Sequence, residues 1–524
     1  MTDQTQISTE QSAEVEVAEQ PTPSPEPKKG FWGKVDNWFG ITKSGSNYRT
    51  EIVAGLTTFM AMVYILMVNA GMFSGVITDS SDPYGAAYIA TAIGAVIGTM
   101  LMALFAKMPL AQASGMGINA FIVYTLIGLT DLTYANCMVF TLLDGVIFLL
   151  LTTTGLRKKI FEAIPAAVRH AVPVGIGMFI AFIGLQQAGV IVSSASINPD
   201  GSLNPGTLTG LVSFNVLADP FMTYSAGTVG GMLPAIVAIF GVLAIAILSK
   251  KNVKGAILWG LLGSAVLYYI LAGIAYAANV QAAADMFNDI SLSNPFNAFA
   301  AWGKDSVGAV FYEGFDFSQY LGKDGNSVGT LIVVLITSAL SLCMIDMFDT
   351  IGTLYGACAK GNLLDENGTP IRMEKMMLAD AIATCTGAIA GTSTVTTFVE
   401  SSSGVVAGGR TGFTSLVTGL CFIVAMFLSP IAQLIPRSAT ATALIWVGVL
   451  MMTSVTKIDW TDAAEAIVGF MTFIIMLLGY SISSGIGFGI LTYIVVSAFT
   501  GKIRKISVPT WVIGAIFLVT FLIT

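Results

Sequence analysis

Apolar runs of about twenty residues, parted by short polar turns, recur from residue 51 to the end of the chain. That is the length a helix needs to cross the hydrocarbon core of a bilayer. Seven segments form a first set, at 51–72, 86–105, 113–129, 135–154, 168–189, 229–248 and 255–276. A second seven follow at 329–349, 375–390, 392–407, 413–427, 440–454, 464–480 and 483–498. A last apolar run, 508–523, leaves the side of the C-terminus open. One stretch, 378–419, does not fit a plain span: a small-residue helix pattern gives way to TSTVTTFVESSS and then to GGRTG. The β-branched run favours extended backbone. Extended backbone is tolerated at membrane depth only where it pairs with protein or lines a cavity.

Composition agrees. Of 524 residues 55% are hydrophobic and 10% charged, where soluble domains carry about 25% charged residues, so the chain is an all-α polytopic membrane protein. A net charge of −7 argues against nucleic acid as a partner. The five cysteines show no paired or metal-ligand spacing, which leaves no metal site or cofactor expected. Residues 1–30 are polar, acidic and proline-rich and read as a disordered tail, and 31–50, with FWGKVDNWF, read as an amphipathic segment on the membrane surface.

Lysine and arginine recur in every second loop: Lys34, Lys43 and Arg49 before the first segment, then Lys107, the Arg157–Lys159 group, Lys250–Lys254, Lys360 and Arg372, Arg410, Lys457 and Lys502–Lys505. This is the positive-inside pattern with the N-terminus in the cytoplasm of a plasma-membrane protein. The loops 190–228 and 277–328 are then external. The segments also repeat. IATAIGAVIGT from Ile89 and IATCTGAIAGT from Ile382 are identical at seven of eleven positions. Each is followed by a Gly- or Thr-rich segment with one polar residue, Asn119 or Glu400. An offset of seven spans forces opposite orientations, so 51–276 and 329–500 read as inverted repeats, a pattern of alternating-access transporters. Residues 501–524 are a basic loop with the extra apolar run.

Ionisable groups at membrane depth are expensive and point to function. Asp346 and Asp349, in IDMFDTIGTL at the end of the eighth segment, share a helical face with Thr350. Two such carboxylates repel when both are charged, which makes the pair a candidate proton carrier. Glu400 follows the extended run, for which the GMGIN stretch before Asn119 is the symmetry-related pairing candidate, and half-helices beginning near Asn119 and Glu400 would aim their N-termini at a central site. Asp144 lines either that cavity or a helix interface. His170 reads as interfacial, and Arg410 as part of a tight cytoplasmic turn. No GxxxxGK[ST] sequence is present, so nothing points to an ATP-driven pump.

With NYRTEIVAGLTTFMAMVYILMVN, GMGINAF, DMFDTIGTL, ADAIATCTGAIAGTSTVTTFVESSSGVVAGGRTG and LMMTSVTKIDW on the page, the chain resembles the nucleobase:cation symporter-2 (xanthine/uracil permease) family, in its AzgA-like adenine/guanine/hypoxanthine branch. The resemblance implies fourteen spans, with spans 1–4 and 8–11 as a core domain and spans 5–7 and 12–14 as a gate. Short antiparallel strands in spans 3 and 10 meet at the substrate. It places the functional positions on Asn119, Asp346, Asp349 and Glu400, and implies proton coupling and a homodimer. On this reading a purine nucleobase gives N–H hydrogen bonds to Glu400 and Asp346 and receives them from backbone near Gly117–Asn119 and Val399–Ser401. It stacks on Phe398, Phe348 or Phe121, while Asp346, Asp349 and Glu400 handle the proton. Another nucleobase, a small anion or sodium coupling remain as rivals on the same fold. A membrane enzyme or receptor finds no nucleophile–base pair, metal cluster or signalling domain to support it.

Overall fold

The computed structural model describes residues 30–523 other than 79, 131, 156–163, 193–195, 198–202, 205–209, 215–219, 226–227, 291–293, 324 and 367. The expected N-terminal tail, but for residue 30, and the basic Arg157, Lys158 and Lys159 lie outside the described residues. Among those described, nine helices are long and apolar enough to cross a membrane: Tyr48–Phe73, Pro83–Ala106, Tyr134–Thr153, Ala166–Gln187, Met232–Lys250, Ala256–Ala277, Val328–Lys360, Arg437–Lys457 and Ile482–Phe499. Shorter apolar helices occupy Met116–Thr130, Gly412–Met426, Ala463–Leu478 and Val508–Leu522. The ninth predicted segment is the helix Met373–Ala390. Thirteen of the fourteen predicted segments thus hold a helix, and the tenth holds the strand Val395–Thr397 and the short helix Ser401–Val406.

Local sequence sets the helix ends. Asn47 accepts from the Thr50 N–H at 3.0 Å, and Thr133/Asn136 and Ser327/Thr330 form reciprocal capping boxes. One boundary differs from expectation. The eighth segment is a 33-residue helix, Val328–Lys360, so Asp346 and Asp349 sit in its interior and not at its end. The residues after Asp349, TIGTLYGACAK, contain no proline and keep the helix running to Gly361.

The predicted breaks in segments three and ten are strands, Gln112–Ser114 and Val395–Thr397. They pair antiparallel in the register Gln112↔Thr397, Ala113↔Thr396 and Ser114↔Val395. Flanking bonds from Gly115 N–H to Thr394 O (2.9 Å) and Phe398 N–H to Ala111 O (3.1 Å) extend the ladder. Antiparallel pairing of equivalent strands is what an inverted repeat places at its centre. The repeated motif explains how they fit there. A Cβ on Gly98 would lie 2.8 Å from a Val395 methyl, and one on Gly387 2.7 Å from the other. The glycines of IATAIGAVIGT and IATCTGAIAGT thus clear a space, one from each repeat, for the same valine.

Pro83–Leu101, Tyr134–Thr153, Met373–Ala390 and Gly412–Met426 pack around this crossing. A second set packs together: Ala166–Gln187 on Arg437–Met451 and Ala463–Leu478, and Met232–Lys250 on Ala256–Ala277. The 277–328 loop holds the helices Gln281–Asp289, Pro295–Asp305, Ala309–Tyr312 and Ser318–Leu321. It is tied down where Trp302 Nε1 donates to Ala390 O and Asn136 Nδ2 to Gly314 O, both at 2.8 Å. The final helix Val508–Ile523 packs along Ile482–Phe499, with the Phe488 and Phe521 rings 4.8 Å apart.

Candidate functional site

The crossing strands leave a cleft of about 50 Å³ lined by Tyr64, Met116, Gly117, Asp349, Thr397, Phe398, Val399, Glu400, Val447 and Met451. Five predicted site residues meet here: Gly117, Asp349, Phe398, Val399 and Glu400. Tyr64 stands where the first transmembrane helix is interrupted after Met62, and its hydroxyl donates to Glu400 Oε1 at 2.7 Å. Tyr64 is fully buried and Glu400 nearly so. Carboxylates are acceptors only, so Glu400 and Asp349 make this a site for hydrogen-bond donors. Among the described residues, no lysine or arginine lines the cleft. Lys360 lies nearby and donates to Ser402 Oγ at 3.3 Å.

Gly117 meets the second set of helices. A Cβ there would lie 2.7 Å from Ile176 Cγ2 of Ala166–Gln187. Val447 and Met451, from Arg437–Met451, form the facing wall. Pockets for drug-sized ligands run to about 300–1,000 Å³. The cleft as it stands is too contracted for a bicyclic ligand, and a wall must move to admit one.

Several predicted residues lie elsewhere. Asn119 is fully buried away from the cleft lining; its Oδ1 accepts from Ser114 Oγ at 2.8 Å and from the Ser393 hydroxyl. Asn69 joins the same nest, its Nδ2 donating to Thr91 Oγ1 at 2.6 Å, Thr392 Oγ1 at 3.2 Å and Ser114 Oγ at 3.3 Å. Asp346 is fully buried with its Oδ1 3.1 Å from Thr350 Oγ1, and neither residue lines the cleft. Phe121 and Phe348 are buried in the apolar core. The Ser401 hydroxyl fastens the crossing through Ala111, accepting from its N–H at 3.0 Å. Asp144 accepts from Thr394 Oγ1 at 3.1 Å, and so supports the strand and does not line the cleft. The backbone N–H groups of Asn119 and Ser401 are already bonded, to Gly115 O and Phe398 O.

Sequence reasoning missed Tyr64, Asp380, Gln112, Val447 and Met451. Asp380 is a fully buried carboxyl in Met373–Ala390; it accepts from Gln112 Nε2 at 3.2 Å, and its Oδ2 lies 2.9 Å from Thr350 Oγ1. The rule that flagged Asp346 flags it equally, since it is an ionisable group within an apolar segment. Glu51 is another: fully buried, it accepts from the Thr411 and Thr414 hydroxyls at 2.9 and 2.6 Å and from the Arg410 N–H at 3.0 Å, fixing the start of Gly412–Met426. Tyr64 gave no distinct signal among aromatics common in membrane helices.

The sequence profile of the xanthine/uracil permeases, described as "Permease family", matches residues 49–224 and 221–488. A putative permease of Methanocaldococcus jannaschii is 36% identical over 93% of this chain and 98% of its own. The guanine/hypoxanthine permease PbuO of Bacillus subtilis is 33% identical over 93% and 100%, and the adenine permease AdeP of Escherichia coli 32% over 93% and 95%. Among solved structures, the transmembrane domain of a cyanobacterial bicarbonate transporter, BicA, superposes with a TM-score of 0.56. It is 16% identical and covers 83% of this chain and 97% of that one, a likeness of fold alone.

Proposed function

The chain belongs to the xanthine/uracil permease family and is an integral membrane permease, not an enzyme; from that premise we propose that it imports purine nucleobases (adenine, guanine or hypoxanthine) by proton symport. The observation that carries the reading is the pair of carboxyls, Glu400 and Asp349, in one cleft without a lining cation. A purine presents ring and exocyclic N–H donors in one plane, and a carboxylate accepts two adjacent donors. Phe398 offers a ring face. Glu400 and Asp349 take the N–H groups, and the Gly117 and Val399 backbone serves the acceptor edge of the base. Relatives whose names specify guanine, hypoxanthine and adenine support this choice of ligand. The shared fold with a bicarbonate carrier does not make this an anion site, because acceptor-only groups repel an anion.

In this reading Asn119, Asp346 and Asp144 hold the strands, and Asp349 and Glu400 exchange protons beside the base. The helices around the crossing act as a core, and those bearing Ile176, Val447 and Met451 act as a gate. Gate movement against core widens the cleft to one side of the plasma membrane and then the other, with the N-terminus in the cytoplasm. The test is uptake of labelled adenine, guanine, hypoxanthine, xanthine and uracil into cells lacking their own permeases. Uptake of one or more purines, abolished by a protonophore, is expected. No uptake of any base sinks the proposal, and protonophore-insensitive uptake that requires sodium overturns the coupling ion.

A further inference from the structure

Beside the cleft, and not lining it, two buried carboxyl groups meet at one hydroxyl. Thr350 Oγ1 lies 3.1 Å from Asp346 Oδ1, 2.9 Å from Asp380 Oδ2 and 2.7 Å from Thr396 Oγ1. All four side chains are fully buried. They come from two helices, Val328–Lys360 and Met373–Ala390, and from the strand Val395–Thr397.

Counting hydrogens decides what this arrangement contains. Each threonine hydroxyl supplies one hydrogen, and an ionised carboxylate supplies none. If Thr396 donates to Thr350, then Thr350 serves only one of the two carboxyl oxygens. The other oxygen faces it with no hydrogen between them unless that carboxyl carries its own. If Thr350 donates to Thr396 instead, both carboxyls need one. Unless that one hydrogen is split between both oxygens in a weaker three-centre bond, which leaves two charged carboxylates together where water is excluded, the three contacts close with a proton on Asp346 or Asp380.

We infer that Asp346 and Asp380 hold one proton between them across Thr350, and that Asp380 is thereby a proton-coupling residue of the transport cycle. The inference rests on the symport reading above for its role in transport, though not for the shared proton itself. The step is simple: one O–H bond forms on a carboxylate oxygen when a proton enters from one aqueous side, and it breaks when the proton leaves to the other. Once it has left, two carboxylates flank the Thr350 hydroxyl, and their repulsion is strong where water is excluded. The element that feels the change is the strand, because Thr396 pairs with Ala113 and the same chain leads through Phe398 to Glu400. Among the described ionisable groups, Asp349 at the cleft lies within electrostatic reach of Asp380, Glu400 shares that cleft with Asp349, and Asp144 holds Thr394, while the Gln112 amide donates to Asp380 from the other strand. Lys360 stands further along the Asp346 helix.

The test uses the purified full-length protein. Infrared spectra of wild type, Asp346→Asn, Asp380→Asn and the double variant are compared in the protonated-carboxyl stretch. The expected result is one component lost in either single variant, with no further component lost in the double. Retention of every component in both single variants overturns the shared proton, and so does loss of a separate component in each. Where Asp380→Asn does not fold, Thr350→Val decides the matter. It should shift or split the component that Thr350→Ser preserves, and an unchanged component in Thr350→Val overturns the inference. In proteoliposomes, one proton per base gives about tenfold accumulation per unit of imposed pH gradient, a dependence Asp380→Asn should lose. A wild-type dependence in that variant overturns its coupling role. Wild-type vesicles that carry no nucleobase defeat the functional reading instead, and leave the infrared comparison standing.

Discussion

The two halves of the strand crossing come from matching places in the repeats, and they end in different chemistry. After the strand Gln112–Ser114 the chain enters a helix at once, at Met116, and its polar residue Asn119 is fully buried against Ser114 and Ser393. After Val395–Thr397 a turn of Phe398, Val399 and Glu400 intervenes before the helix Ser401–Val406. Glu400 therefore stands at the helix start, at the cleft, with Tyr64 on its carboxylate. One architecture has been used twice, once to fasten the crossing and once to face the cleft. Equivalent sequence positions need not keep equivalent roles; a few residues of turn decide which side chain reaches the cavity.

The comparison breaks most visibly at Glu400. Glu400→Ala removes the cleft's main acceptor, and hydrogen bonds to charged groups contribute about 1.5–3 kcal/mol each, so purine binding to purified protein should weaken by roughly 10- to 100-fold or more. Asn119→Ala should behave otherwise. It leaves the Ser114 and Ser393 hydroxyls without their acceptor, costing about 1–3 kcal/mol of stability. Thermal inactivation in detergent should show that loss, while the affinity of surviving protein falls far less than in Glu400→Ala. Equal losses of affinity in the two variants would erase the distinction between the halves. Tyr64→Phe removes one bond to Glu400, worth about 1 kcal/mol, and should weaken binding roughly fivefold in the same assay. The smallest effect is expected at Asp144, which bonds Thr394 just before the strand and does not line the cleft. Asp144→Asn should change affinity by less than about threefold, since its partner keeps an amide oxygen to bond. A larger change there would mean that the strand's support tunes the cleft more strongly than its lining does.

Much of this was legible from the residues. The run TSTVTTFV announced extended backbone, but its partner is Gln112–Ser114, just before the GMGIN stretch that the repeat suggested, which instead begins the helix Met116–Ala120. Glu400, Asp349, Gly117, Phe398 and Val399 were identified and do converge on the cleft. What sequence could not supply was direction. Asp346 and Asp349 share a helical face by spacing, yet Asp349 lines the cleft and Asp346 is bonded to Thr350. That choice depends on how helix Val328–Lys360 is rotated against the strands, which only packing fixes. The same helix runs past the aspartates because a charged residue at depth looks like a span end unless buried partners hold it. Thr350 of the same helix meets both Asp346 and Asp380 of the following segment, and Gln112, far back in the chain, bonds Asp380. Val447 and Met451 are ordinary apolar residues whose importance lies wholly in what they face.

The most direct test of the central claim is a structure of the full-length protein with a bound purine such as hypoxanthine. The account predicts the base in a widened cleft between the strand crossing and Val447/Met451, with ring N–H groups within hydrogen-bonding distance of the Glu400 carboxylate and the ring plane on Phe398. A base seated away from the crossing, with the Glu400–Tyr64 bond intact and the cleft still closed, would contradict it.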